Sequence, residues 1–215
     1  MFLKIKKIPK VNWSSKKPYN FKPRFSTFFF LCFGLTLFGL GEGLLIVSFI
    51  GASPWSVLAQ GISLNVNLTI GTITLLISIA VLILWIPLGL KPGMGTIFNA
   101  LIIALMIDLC IKFVPTPSNY IHQIILAIIS VITVGIGGGI YLVSNLGAGP
   151  RDGLMIGLQK ISNLPIAVVR GTLEISVVSV GWYLGGTVGL GTLLFAFGIG
   201  PCVALGLYLV DKIFD

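Results

Sequence analysis

Four ionisable side chains stand inside otherwise apolar stretches: Glu42, Asp108, Arg170 and Glu174. A charge in hydrocarbon costs at least about 2.5–3.5 kcal/mol on insertion scales, so each is a functional candidate by default. Arg170 and Glu174 are four residues apart, on one face of a helix, where they can pair directly. Glu42 is set among Gly39, Gly41 and Gly43, and a carboxyl there could exchange a proton or hold a cation. Glu42, Arg170 and Glu174 are expected to line one polar cavity between the halves of the molecule, with Asp108 nearer its outer mouth. The plainer alternative makes Arg170 and Glu174 a structural pair that joins their helix to its neighbours.

Other chemistry is sparse. Cys32, Cys110 and Cys202 lie in apolar stretches without metal or redox spacing and read as packing thiols. His122 opens one such stretch and reads as an interfacial residue. The G-x-G patterns are not nucleotide fingerprints, because no strand precedes them. No nucleophile–base set is visible, so no catalytic residue, metal or cofactor is assigned and an enzyme is not expected.

The elements that position these residues follow from composition. Of 215 residues, 56% are hydrophobic and only 9% charged, against about 25% charged in a soluble domain. The net charge of +8 is unevenly placed: eight of the 14 cations fall in the first 24 residues, which hold no acid. A soluble fold is excluded by the shortage of charge. A nucleic-acid-binding protein is disfavoured because its basic footprint would spread over a folded face. The remaining class is an all-α, polytopic membrane helix bundle, its partner the lipid bilayer, with anionic lipid at the basic N-terminal tail.

A membrane helix needs roughly 20 apolar residues to cross a hydrocarbon core of about 30 Å. Six stretches qualify: 25–50, 68–88, 94–114, 121–144, 165–184 and 190–210. With the basic tail inside, Lys91, Arg151, Lys160 and Lys212 also fall inside, leaving Lys112 outside. The expectation is a bacterial cytoplasmic-membrane protein with both termini cytoplasmic. The first stretch is too long for a cleaved signal. The chain divides into a tail (1–24), a first repeat (25–114) and a second (115–215), all one membrane domain.

The repeats rest on an offset of 96 residues. Gly39, Gly41, Gly43, Val47, Ser48 and Gly51 fall on Gly135, Gly137, Gly139, Val143, Ser144 and Gly147. Ala52, Pro54, Leu58 and Gly61 fall on Ala148, Pro150, Leu154 and Gly157, and Leu88, Gly89, Gly93, Gly95 and Thr96 on Leu184, Gly185, Gly189, Gly191 and Thr192. Three spans per unit is an odd number, so the second unit enters the membrane inverted, as in many transporters. Glycines spaced i, i+4 read chiefly as close helix packing, with local unwinding at 39–43 and 135–139 as the alternative.

Within the repeats, Gly51-Ala52-Ser53-Pro54-Trp55-Ser56-Val57-Leu58 and Gly147-Ala148-Gly149-Pro150-Arg151-Asp152-Gly153-Leu154 each read as the start of a short helix ending near Asn65 and Asn163. Proline suits the first helical position, Ser53 can cap the first helix, and Asp152 complements the dipole of the second. An interfacial placement, anchored by Trp55 and by Arg151 with Lys160, is favoured over re-entrant half-helices aimed at an anionic group.

The pattern of Gly51, Pro54, Trp55, Leu58 and Gly61, with Gly181, Trp182, Leu184, Gly185, Gly186, Gly189, Gly191 and Thr192 before the last span, resembles the YczE/YitT-like family of bacterial integral membrane proteins. The resemblance runs from about Phe25 onward. It implies a multi-span membrane protein and carries no settled activity. Family members often have an acid after the Pro-Trp pair; here Ser56 stands there, and an acid is kept only in the second copy, as Asp152. Two functions follow as expectations: a transporter-like or channel-like protein for a small solute or ion, or a non-transporting accessory or scaffold protein. Either leaves room for a homo-oligomer.

Overall fold

The computed structural model describes residues 8–214; Lys4, Lys6 and Lys7 of the basic segment lie outside them. Eight helices follow one another: α1 (Phe25–Val47), α2 (Pro54–Asn65), α3 (Ile70–Trp85), α4 (Met94–Phe113), α5 (Tyr120–Val143), α6 (Pro150–Ser162), α7 (Ile166–Tyr183) and α8 (Leu190–Phe214). No strand occurs among the described residues. The all-helical expectation holds, and the two short helices fall where Gly-x-x-Pro marks their starts.

Local chemistry sets the ends. Pro54 and Pro150 occupy the first helical positions of α2 and α6, where a missing N–H costs nothing. Thr69 caps α3 by accepting from the Thr72 N–H at 3.1 Å. The Asn119 side chain accepts from the Ile121 N–H at 2.8 Å at the start of α5. Asn163 ends α6 in the left-handed conformation, φ 56°, which asparagine tolerates better than most residues.

Five helices (α1, α4, α5, α7 and α8) are long and apolar enough to cross a membrane. The stretch 68–88, expected as a span by itself, forms only the 16-residue α3, which is bent by 115° from α2. The Thr69 cap shortens it at one end and the turn to left-handed Gly89 at the other. Large apolar side chains cover the outward faces, among them Ile83, Leu105, Ile175 and Phe197, as lipid contact requires.

Helix α1 packs on α4 and α5, and α5 packs on α8, giving a row α4–α1–α5–α8. Against it, α2 lies on α7 and α3, while α6 lies on α3 and α7. Glycine makes the row possible. A Cβ at Gly41 would lie 2.7 Å from the Val134 backbone nitrogen, and one at Gly137 would lie 2.5 Å from that of Phe38. Gly39 faces α4 in the same manner, with the Ile103 Cα 3.0 Å from its absent Cβ, and Gly139 faces Gly206 and Leu207 of α8. Both helices run unbroken through these glycines. Packing is therefore their role, and the local unwinding considered for 39–43 and 135–139 does not occur.

Backbone features recur at the offset of 96. Left-handed Phe49, Gly51 and Gly89 return as Asn145, Gly147 and Gly185. The Gly191 N–H donates to the Ile50 carbonyl at 2.7 Å, and the Gly95 N–H donates to the Leu146 carbonyl at 2.8 Å. Each chain reversal is thus held by the glycine-rich start of the last helix of the other half.

Residues 8–24 of the basic tail form a strap folded onto the ends of α1, α5 and α8. Trp13 is buried, stacked on Phe30 with ring centroids 4.5 Å apart and edge-on to Phe214. A large aromatic surface gains more from this burial than an exposed tail would.

Candidate functional site

The chain reversals carry the short helices back into the bundle. Pro54, Trp55, Ser56 and Val57 are all buried, whereas Leu64 and Asn65 at the other end of α2 are exposed. Helix α6 behaves alike, from buried Pro150 to exposed Lys160. The two helix starts lie side by side: the Arg151 guanidinium sits over the Trp55 ring, 5.3 Å from its centroid. Trp55 and Arg151 were expected to anchor the helices at opposite membrane surfaces. That expectation is corrected, because left-handed Phe49 and Gly51, with their counterparts in the second half, turn each helix start inward.

Between these starts and the row α1–α5–α8 lies a cavity of about 270 Å³. Glu42, Arg151, Asp152, Arg170 and Glu174 line it together, with apolar walls from Phe38, Phe195 and Ile199. Three of the four residues read from sequence therefore meet in one cavity. Glu42 is 1% exposed. Its Oε2 accepts from Ser53 Oγ at 2.6 Å and from Ser56 Oγ at 2.7 Å. Ser53 was expected to cap α2; it makes no side-chain cap bond, its hydroxyl being turned instead to donate to Glu42. Arg170 Nε donates to Glu174 Oε1 at 2.8 Å, the i, i+4 pair that the spacing allowed.

Asp108 lines no part of this cavity, which corrects its assignment to an outer mouth. Its Oδ1 accepts from the Gly71 N–H at 2.7 Å and its Oδ2 from Thr69 Oγ1 at 2.6 Å. A carboxylate is favoured there by the unpaired N–H groups and positive dipole of the α3 start.

Three participants escaped the sequence reading. Tyr141 donates its hydroxyl to Asp152 Oδ2 at 2.6 Å. Ser56 donates to Glu42, as above. Arg151, counted as a loop cation, stands in the cavity wall and makes no hydrogen bond or ion pair among the described residues. The available signal was the offset of 96, which puts Arg151 in the slot of Trp55 and Asp152 in that of Ser56. The Trp55 indole N–H is also buried without an acceptor. Unpaired donors on Trp55 and Arg151, with the carboxylates of Glu42 and Asp152, give the cavity groups able to hold a small polar or charged solute. A smaller cavity of about 50 Å³ lies on the other side of Arg151 and Asp152, lined by Thr74, Ser78 and Asn99. Thr74 and Ser78 occupy the slots of Arg170 and Glu174, so the charged pair belongs to one side only. No group of three or more metal-ligating side chains occurs among the described residues.

Residues 25–207 match the model of DUF6198, a family of unknown function. The chain belongs to this family. The DUF6198 chain is 40% identical over 210 residues to an uncharacterised protein of Haemophilus influenzae, covering 98% of its own length and 95% of the relative's. It is 31% identical over 173 residues to the uncharacterised membrane protein YczE of Bacillus subtilis, covering 79% of each. The uncharacterised protein YyaS of the same organism is 30% identical over 166 residues, covering 75% of this chain and 82% of that one. No solved structure matches significantly. The resemblance to YczE read from the Gly-x-x-Pro and Gly-Trp motifs holds, and this DUF6198 member is a multi-pass membrane protein.

Proposed function

We propose that the protein is transporter-like, passing a small solute or ion through the central cavity, in the cytoplasmic membrane of a bacterium with both termini inside. The observation that carries this reading is the cavity of about 270 Å³ lined by five acidic or basic side chains. A membrane protein whose only task is packing has no reason to meet the cost of so many charges at one place. The two halves are read as inverted repeats, which is supported by the left-handed residues and cross-half backbone bonds recurring at 96. In that architecture a solute site lies between the halves.

Glu42 and Arg151 are the residues assigned to the solute or its coupling ion. Glu42 Oε1 has no hydrogen-bond partner among the described residues, unlike Oε2. Helix α7 carries Arg170 and Glu174 and packs little against α8, so it is the element read as moving. No enzymatic step is proposed.

A specific observation favours the second reading, a non-transporting scaffold: Glu42, Asp152, Arg170 and Asp108 each already have an internal partner. Proteoliposomes separate the two. Uptake of labelled amino acids, carboxylates, amines and alkali cations, with internal pH followed by dye, is measured for wild type, Glu42→Gln and Arg151→Gln. Transport predicts flux in wild type and at least about a tenfold loss in each variant, the cost of one charged contact. No flux above empty liposomes for any of these probes or for protons supports the scaffold.

A further inference from the structure

The strap at residues 8–24 is a built feature. The Thr27 hydroxyl donates to the Trp13 carbonyl. The Ser15 N–H donates to the Ser144 carbonyl at 3.0 Å, and the Asn145 side-chain amide donates to the Ser15 carbonyl at 2.8 Å. Within the strap, Ser15 Oγ donates to the Lys17 carbonyl at 2.8 Å, and the Lys22 N–H donates to Asn20 Oδ1 at 3.0 Å. With Trp13 wedged between Phe30 and Phe214, the backbone is fixed at several points.

On this scaffold lies a groove of about 1120 Å³ lined by Lys10, Lys16, Lys17, Lys22 and Arg24, without one acid in its wall. All five cations are exposed. None has a carboxylate within 4 Å among the described residues. Five like charges held round one groove repel one another, and an anion with several acceptor oxygens relieves that repulsion. Directly after Arg24, α1 presents Phe25, Phe29 and Phe33 at i, i+4 and i+8, all exposed, with the latter two rings stacked. A basic groove continuous with an aromatic ridge on an apolar helix matches a molecule that is anionic at one end and hydrocarbon at the other.

We infer that the strap groove binds the phosphate headgroup of an anionic phospholipid, whose acyl chains lie along the ridge of Phe25, Phe29 and Phe33. This goes beyond charge attraction by a basic tail, because the strap fold itself holds the cations in register. It is independent of the central cavity.

The test uses the full chain in nanodiscs of phosphatidylcholine with or without phosphatidylglycerol, counting retained lipids by native mass spectrometry. Wild type is expected to retain phosphatidylglycerol in preference to phosphatidylcholine. The triple variant Lys16→Gln, Lys17→Gln, Lys22→Gln is expected to bind it about 100-fold more weakly, at the usual worth of three surface cations. A control with Lys91→Gln and Lys160→Gln, both exposed and outside the groove, is expected to bind as wild type. Trp13→Ala keeps every cation but frees the strap, and a weakening of about tenfold or more is the result expected of a built groove. Wild-type binding by Trp13→Ala would overturn the proposal in favour of diffuse attraction. Equal retention of the two lipids would overturn it as well. Inorganic phosphate provides the remaining arm: displacement of phosphatidylglycerol by millimolar phosphate at constant ionic strength would make the groove a free-phosphate site instead.

Discussion

The two chain reversals, before α2 and before α6, are alike in backbone and unlike in chemistry. Ser48 Oγ donates to the Leu45 carbonyl and Ser144 Oγ to the Tyr141 carbonyl, each at 2.6 Å. Pro54 and Pro150 open the short helices that follow. Yet in the first half the acid, Glu42, is on α1 and its hydroxyl donors are on and just before α2. In the second half the acid, Asp152, is on α6 and its donor, Tyr141, is on α5. Each helix start keeps an acid hydrogen-bonded to a hydroxyl, and only the element supplying the acid changes. A carboxylate is favourable at a helix N-terminus from either side, because the dipole acts through space. The difference teaches that packing fixes the positions, while polarity can be exchanged across them.

The strongest test of the shared part is at the α1–α5 crossing. Gly41 and Gly137 are partners at the offset of 96, and a Cβ on either would meet the backbone of the facing helix at under 3.0 Å. Gly41→Ala and Gly137→Ala are each expected to destabilise by about 2–3 kcal/mol, the overpacking cost where backbone must move, read as a lower melting temperature in detergent. A large loss at one site with tolerance at the other would break the equivalence of the halves. Gly171, with nothing within 4 Å of an added Cβ, is the control, and Gly171→Ala is expected to cost nothing and to stabilise by up to about 1 kcal/mol, the usual gain of alanine over glycine inside a helix.

Exchanging the acids probes the unlike part. Ser56→Asp places a second carboxylate beside Glu42 and is expected to destabilise by about 1–3 kcal/mol through like-charge repulsion in a buried site. Adding Glu42→Gln moves the acid onto α2, as in α6, and should restore most of that loss. If the double variant is no better than Ser56→Asp alone, hydroxyl and acid are not interchangeable at these positions. On the hydroxyl side, Tyr141→Phe removes the donor to Asp152 Oδ2, whereas Ser56→Ala leaves Ser53 on Glu42. Tyr141→Phe is therefore expected to cost more, about 2 kcal/mol against about 1, by the same melting measurement.

How much of this was legible in the sequence depended on whether the signal is local. Proline at a first helical position and glycine at positive φ act within a few residues, so Gly51, Pro54, Gly147 and Pro150 marked both short helices. Depth along a span gave Glu42, Arg170 and Glu174, which do meet. It misplaced Asp108 because distance from a helix end fixes height but not azimuth, and Asp108 faces α3. Arg151 was counted as a loop cation because charge bias is read segment by segment, without seeing that the helix start turns inward. Trp13 gave no periodic signal within a basic run, so the strap appears only once its stacking on Phe30 and Phe214 is seen.

The smallest expected effects come from the left-handed residues themselves. Phe49 has φ 64° and Asn145 φ 52°, and a non-glycine side chain in this region costs about 1–2 kcal/mol, less for asparagine. Phe49 is exposed, so Phe49→Gly loses little packing. It should stabilise the protein by up to about 1 kcal/mol, less what glycine gives back by loosening the unfolded chain. Asn145 adopts the conformation more readily, and its amide also donates to the Ser15 carbonyl of the strap. Asn145→Gly removes that bond and should destabilise by about 0.5–1 kcal/mol. Opposite signs at two positions with the same backbone would tie the asymmetry to the strap, which meets only the second reversal. Equal signs would mean that the hydrogen bond to Ser15 contributes nothing and that the reversals differ in side chain alone.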